Sequence, residues 1–345
     1  MSSDSLTIEA VGKLAQTCVQ HHPVVVLGSG ASVPHGIRGM MALADELKNT
    51  LTAEGCEEQE AWNRILADLA NGDGLEEALG KTNVPSSLIQ KIVERTWLTI
   101  TADDLALLQR AALGEEAFPL SEFIRGLFRS TNNTLHLVTP NYDRVAEYAV
   151  DVADHFHGTG FVPGLIRRRE GADGITFRRG NHPARVVRIW KVHGSLDWFQ
   201  GKQGQIVSLP LSRELPAEFS PMIVTPGVSK YERTHDEPFR SAIQGADLAL
   251  GTANSVLCIG YGFRDRHIQP KLVERCRQKN VPLVVLARTL TDETKEFLRT
   301  SAGTSYLALE SCEDGTRAYT YEIPNGAVIE NCEFWSFAKF NDLVL

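Results

Sequence analysis

The chain has 345 residues, 43% of them hydrophobic, enough for a sizeable core and for one large domain or two smaller ones. A formal net charge of −8 gives an average surface that repels nucleic acid, so direct DNA or RNA binding is not expected outside a local basic patch. Six scattered cysteines without a C-x-x-C pair argue against zinc; with no basic leader and no run of roughly 18 to 20 apolar residues, the expectation is a soluble protein of the reducing cytoplasm with no membrane role.

Val24 to Leu27 is an apolar β-branched run that ends in glycines, which suits a strand buried on both faces of a parallel sheet. Met40 to Thr50 supplies helix formers at amphipathic spacing. From about residue 55 to 132 the strand signal vanishes, and Glu60–Ala70, Ser86–Leu98, Ala102–Leu113 and Ser121–Arg129 read as helices of an insertion. His136 to Thr139 resumes the sheet and Arg144 to Val152 is its following helix. A Gly/Arg-rich stretch then leads to a strand over 186–192, and two short strands are expected at Ile206–Leu209 and Met222–Thr225 within a Gly/Pro-punctuated region reaching Thr234. Ser255–Ile259, a helix from about Arg266 to Gln278, and Leu283–Leu286 form a further βαβ unit. Alternation of this kind indicates an α/β fold, a Rossmann-like doubly wound parallel sheet, here with a helical insertion. A single domain spanning 1–345 is expected, with an extension from about 304 to 345 that holds a strand at Ala318–Ile323 and an aromatic end packing back on the core or serving as a docking surface.

Gly28-Ser29-Gly30-Ala31-Ser32 follows a strand and precedes a helix, where small residues let backbone N–H groups approach a pyrophosphate. The third glycine of a dehydrogenase fingerprint is replaced by Val33, and the second strand runs into Thr139-Pro140-Asn141 where an acidic ribose ligand would stand. The plain alternative is a tight strand-to-helix turn. Asn141 carries both a donor and an acceptor for ribose hydroxyls or water, Asp143 can accept from a carboxamide, and His193, with an ordinary pKa of about 6.5, can take a proton near neutrality. Each also has a structural reading: Asn-Tyr-Asp as a helix cap, His-Gly as a turn. Asn141 and His193 fall at the C-terminal ends of expected strands, the edge where open α/β sheets bind ligands.

Together these segments resemble the sirtuin-like family. The turn Gly28 to Ser32 matches its G-A-G-x-S with serine for alanine, Thr139-Pro140-Asn141-Tyr142-Asp143 its T-x-N-Y/I-D, and Lys191-Val192-His193-Gly194-Ser195-Leu196-Asp197-Trp198 the longer form of its H-G motif. Gly260-Tyr261-Gly262-Phe263-Arg264-Asp265-Arg266-His267-Ile268 resembles the G-Y-S/G-F-x-D-x-H-I signature of the bacterial branch; Asp265 there reads equally as a helix cap and His267 as structural. Gly36-Ile37-Arg38-Gly39-Met40 departs from the family's Gly-Ile/Leu-Pro-Ser-Trp.

The resemblance implies an NAD-binding fold and a site with Asn141 and His193 as catalytic residues and Gly28, Ser29, Gly30, Ala31, Ser32, Thr139, Asp143, Gly260, Tyr261 and Gly262 as binding residues, with NAD+ as substrate and no metal. The paired C-x-x-C zinc module of the lysine deacylases is missing, which directs the expectation to an NAD+ glycohydrolase yielding nicotinamide and ADP-ribose. By the same resemblance it would be an NAD-depleting effector of anti-phage defence, homo-oligomeric and gated by a separate sensor such as a HerA-type ATPase or an Argonaute. A non-catalytic NAD or ADP-ribose sensor and a protein-lysine deacylase are the alternatives. The basic stretch from Arg167 to Arg188 reads first as a solvated insertion or a subunit contact.

Overall fold

In a computed structural model, residues 7–170, 175–225, 236–265 and 267–345 are described. The strands in chain order are β1 (Val24–Leu27), β2 (Thr134–Thr139), β3 (Phe156–Gly158), β4 (Arg167–Arg168), β5 (Arg178–Arg179), β6 (His182–Pro183), β7 (Val186–Lys191), β8 (Gly194–Gly201), β9 (Ile206–Ser208), β10 (Phe219–Ile223), β11 (Val256–Ile259), β12 (Leu283–Ala287), β13 (Tyr306–Cys312), β14 (Gly315–Thr320) and β15 (Ala327–Glu330). The main sheet runs β3-β7-β2-β1-β11-β12-β13-β14-β15, and from β3 to β13 every neighbouring pair is parallel. Its inner order β7-β2-β1-β11-β12-β13 is the 3-2-1-4-5-6 sequence of a doubly wound sheet. The fold class read from the sequence is therefore borne out. The chain leaves β1 toward β2 on one side and later returns to β11 on the other, so the switch point lies between β1 and β11.

Period-two alternation divides the buried side chains between two faces. Val25, Leu27, Leu137, Ile189 and Leu257 join one core, and Val24, Val26, Val138, Trp190 and Val256 join the other. The first is covered by α1 (Ile8–Gln20) and by residues of the helical segment that includes α3 (Met40–Thr50), beyond the short turn α2 (Ser29–Ser32). The second is covered by the helices Phe239–Thr252, Gln269–Lys279 and Asp292–Thr300.

The stretch expected to be helical contains α4 (Gly55–Ala70), α5 (Leu75–Lys81), α6 (Ser86–Leu113) and α7 (Pro119–Leu127). Two helices foreseen over 86–98 and 102–113 are one. The Thr99-Ile100-Thr101 run, poor in helix propensity, is buried throughout, and tertiary packing overrides its local preference. Trp97, fully buried, donates its indole N–H to the Leu196 carbonyl (2.7 Å) and so ties α6 to β8.

Two further differences matter. β8, which sequence patterning did not show, begins directly after His193 and builds a small antiparallel sheet, β10-β8-β9-β4, whose β9 and β10 overlap the two short strands expected at Ile206–Leu209 and Met222–Thr225. Residues beyond 304 enter the main sheet itself: β13 is its last parallel strand, extended antiparallel by β14 and β15. The aromatic end does pack back, with Phe340 fully buried and Phe337 edge-on to Phe123 of α7 (5.5 Å). Part of the region foreseen up to Thr234, and Arg266 at the start of the foreseen helix, lie outside the described residues.

Candidate active site

Four loops gather at the C-terminal edge of β7, β2, β1 and β11. The glycine turn after β1 packs backbone on backbone against the turn after β11. Gly28 N donates to Ile259 O (2.9 Å) and Gly30 N to Gly260 O (3.1 Å). A Cβ on Gly28 would sit 2.2 Å from Gly260 O, and one on Gly260, whose φ is +59°, would sit 2.3 Å from Ala31 N. Glycine is thus required here by close approach between turns. The Ala31 amide is also engaged, by Gly28 O (3.0 Å), so three of the amides read as a phosphate cradle serve the fold. Ser29 and Gly30 form the exposed surface of the turn, while Ser32 is buried beneath it.

Asn141 locks the loop after β2 onto that turn. Its Nδ2 donates to Gly28 O (2.9 Å) and to Ser32 Oγ (3.0 Å), and its own amide donates to Thr139 Oγ1 (3.0 Å). The Gly28 carbonyl can only accept, which fixes the amide orientation and leaves Oδ1 as the acceptor turned away from these contacts. Thr139 in turn donates to Leu27 O (2.9 Å).

Asp143 is buried, and its Oδ1 accepts from Val145 N (3.1 Å), an Asx turn leading into α8 (Val145–Val152), whose N-cap residue is Arg144. Burial pushes its carboxyl up to about 6 against the pull of Lys191, with Asp104 raising it further and a hydrogen bond from Ser32 lowering it. Lys191, itself fully buried, donates to the Asp143 carbonyl and to Glu147 Oε1 (2.9 Å). Ser32 therefore touches both Asn141 and Asp143 and joins the first two motifs into one cluster.

His193 stands just past β7, also buried. The next residue, Gly194, has φ +84°, and a Cβ there would meet Met222 O at 2.0 Å, so the chain can reverse into β8 only with glycine. His193 O accepts from Val224 N (2.9 Å), and Nε2 lies 2.9 Å from Asp265 Oδ2. The ring N–H points off the line to that oxygen, so the two groups are close without forming an aligned hydrogen bond. His267 stacks edge-on at 5.7 Å. Asp265 Oδ1 accepts from His267 N (2.8 Å) and Ile268 N (3.2 Å), so the cap foreseen for this residue exists and a contact to His193 is added to it. That pairing was not visible in the sequence; the only signal was an acidic residue one turn beyond a strand end.

Tyr261 is buried with its ring against Phe263 (centroids 4.9 Å), and Gly262 O accepts from Thr291 Oγ1 (2.9 Å). The basic stretch is largely occupied within the chain: Arg167 holds Asp197 (2.6 Å), Arg169 meets Glu237 (3.5 Å), Arg179 meets Asp154 (3.1 Å), and Arg185 and Arg188 donate to the carbonyls of Ser130 and Ile175. Asp197 of the third motif is deeply buried, yet Arg167 and the nearby Arg144 hold its carboxyl below the usual range. Its partners mark it as structural. Among the described residues, no helix is long and apolar enough to cross a membrane and no His/Cys/Asp/Glu group is arranged to hold a metal.

The family description "SIR2-like domain" matches residues 135–302, a segment that includes Asn141, Asp143, His193 and Asp265 but neither the glycine turn nor the helical stretch before β2. The chain has no match among the curated proteins. Among solved structures it is similar to a Sir2 homologue in complex with NAD (14% identity, 89% of this chain and 90% of that one, TM-score 0.39). A mutant Sir2 homologue bound to 2′-O-acetyl ADP-ribose is similar at 15% identity, over 84% and 88% of the two chains, with a TM-score of 0.43. A structure described as the structural basis of sirtuin substrate affinity is similar at 12% identity, over 88% and 92%, also with a TM-score of 0.43.

Proposed function

We propose that this protein is an NAD+ glycohydrolase that releases nicotinamide and ADP-ribose. The observation that carries the reading is the convergence of buried His193 and the Asn141–Ser32–Asp143 cluster on the switch-point edge of a sheet whose SIR2-like segment contains both motifs. As the bond from ribose C1′ to the nicotinamide nitrogen breaks, its electron pair neutralises the pyridinium and positive charge develops on the ribose. Water then adds at C1′, and His193 takes a proton from the water or from a ribose hydroxyl before releasing it to solvent. Asn141, with Nδ2 already committed, presents Oδ1 to a ribose hydroxyl or to the attacking water. Ser29 and Gly30, exposed on the turn, are the surface for the pyrophosphate, and Thr139 and Gly28 serve by holding Asn141 in place.

In this reading the protein works in the cytoplasm, where an ungated NAD+ hydrolase would exhaust its own cell. Gating by self-association or by a sensor partner such as a HerA-type ATPase or an Argonaute, in a defence role, is accordingly part of the proposal. The insertion, which carries the side chains that fasten the site loops, is the surface for such a partner.

The test is to incubate the purified chain with NAD+, with and without an acetylated peptide, and to separate nicotinamide, ADP-ribose and O-acetyl-ADP-ribose. Nicotinamide and ADP-ribose without peptide are expected. Peptide-dependent O-acetyl-ADP-ribose would make it a deacylase, and binding without products a sensor. Asn141→Ala and His193→Ala should each lower turnover by about 10²- to 10⁴-fold; wild-type rates in both would overturn the assignment.

A further inference from the structure

We infer that Asp265 is the positioning residue of His193, fixing which ring nitrogen carries the proton. In its kinetic part this rests on the hydrolase reading above; in its structural part it does not.

His193 and Asp265 come from loops after β7 and β11, strands separated in the sheet by β2 and β1. At a strand spacing of about 4.8 Å those strand ends are roughly 14 Å apart. The Asp265 Oδ2 to His193 Nε2 distance of 2.9 Å therefore bridges the edge where Asn141 and Gly28 sit. Both side chains are only 7% exposed, so the contact between carboxylate and imidazole is poorly screened by water.

The carboxylate is held from behind. Its Oδ1 accepts the amides of His267 and Ile268, which sets the carboxylate plane and leaves Oδ2 directed at the ring. The loop that delivers it is bent through Phe263 at φ +57°, an unusual conformation for a bulky aromatic, maintained by complete burial of the ring against Tyr261 and Phe297 (4.9 and 4.4 Å). A helix cap alone needs only Oδ1. The second oxygen, 2.9 Å from Nε2 of a buried imidazole, is a carboxylate acceptor within reach of the ring N–H once the ring turns onto it, the arrangement by which a carboxylate selects a histidine tautomer. A small ring rotation aligns the Nε2–H with Oδ2, and a proton held there leaves Nδ1 as the acceptor that takes the proton in hydrolysis.

The experiment combines ¹⁵N NMR of the histidine rings with kinetics of the full chain, comparing wild type, Asp265→Asn and Asp265→Glu. Asparagine retains the cap acceptor and removes the carboxylate. In the wild type the His193 ring, assigned by its loss in His193→Gln, should show Nε2 as protonated and Nδ1 as unprotonated. In Asp265→Asn that preference should be lost, and kcat for NAD+ should fall about 10²- to 10⁴-fold with KM within about threefold, glutamate restoring part of it. A wild-type ring protonated on Nδ1, or identical ring signals in wild type and Asp265→Asn, would overturn the assignment without any variant activity being needed. If the wild type turns over no NAD+, the NMR comparison still decides the pairing while the hydrolase reading fails separately.

Discussion

The two loops at the centre of the site are fastened on opposite flanks by different physics. Toward β11, the glycine turn is held by backbone alone, with Gly28 and Gly30 amides on the Ile259 and Gly260 carbonyls and no room for a single added carbon. Toward the helical insertion, two consecutive carboxylates of α6 do the holding. Asp103 accepts from the Arg38 amide (3.1 Å) and pairs with its guanidinium (3.1 Å), while Asp104 accepts from the Arg144 amide (2.8 Å), its Nε and Nη2 (3.0 and 2.8 Å), and the Tyr148 hydroxyl (2.6 Å). One flank is specified by shape and tolerates no side chain. The other is specified by charge and can be loosened by moving one helix.

The ionic flank should break most severely. Asp104 is wholly buried and Arg144 nearly so, so Asp104→Ala leaves a guanidinium, a phenol and an amide without their acceptor. Removing one partner of a buried pair costs about 3–5 kcal/mol, which should appear in urea unfolding as a lower midpoint at unchanged slope. Arg38→Ala, at the partly exposed Asp103 pair, should cost no more than about 1 kcal/mol. Equal losses at the two sites would remove the distinction between a buried anchor and a surface one.

The shape-specified flank comes next. Gly260→Ala must hold alanine at φ +59° and place its Cβ 2.3 Å from Ala31 N. The conformation costs about 1–2 kcal/mol and the overpacking about 1–3 kcal/mol. Unlike Arg38→Ala, this change should also displace the glycine turn, so weaker NAD+ binding by calorimetry is expected beside the lower denaturation midpoint.

This contrast also explains what could be read in the sequence. The backbone-held flank was legible, because close approach and strand ends leave marks in residue type: glycines at 28, 30 and 260, and the β-branched runs Val24–Leu27 and Leu283–Leu286. Asn141 and His193 were legible as residues but not as neighbours. The ionic flank was not legible: Asp103 and Asp104 look like two solvated acids in a helix, and nothing local tells that one of them faces a loop some forty residues away. Asp265 was half legible, since its cap depends on the next three residues and its partner on a loop more than seventy positions earlier. β8 escaped because Ser195 and Asp197 are buried beside Leu196, Trp198 and Phe199, which leaves neither an alternation nor a continuous apolar run to detect.

A smaller effect than at Asp104 or Gly260, and one of opposite sign, is expected between the flanks at Asp143, which belongs to neither anchor. Its carboxyl is raised from 3.8 to about 6 by burial, so between those values the folded protein binds a proton that the unfolded chain has released. Stability from this group is complete below about pH 4 and is lost as pH rises through 6, a difference of about 3 kcal/mol at most. Asp143→Asn keeps the acceptor for Val145 N and has no charge to bury. It should raise stability at pH 7 by about 1–3 kcal/mol and flatten the pH 4–6 portion of the stability curve measured by urea unfolding. Were the variant less stable than wild type at pH 7, the pull of Lys191 on the ionised carboxylate would outweigh desolvation. The charge specification of the insertion flank would then extend into the centre of the site.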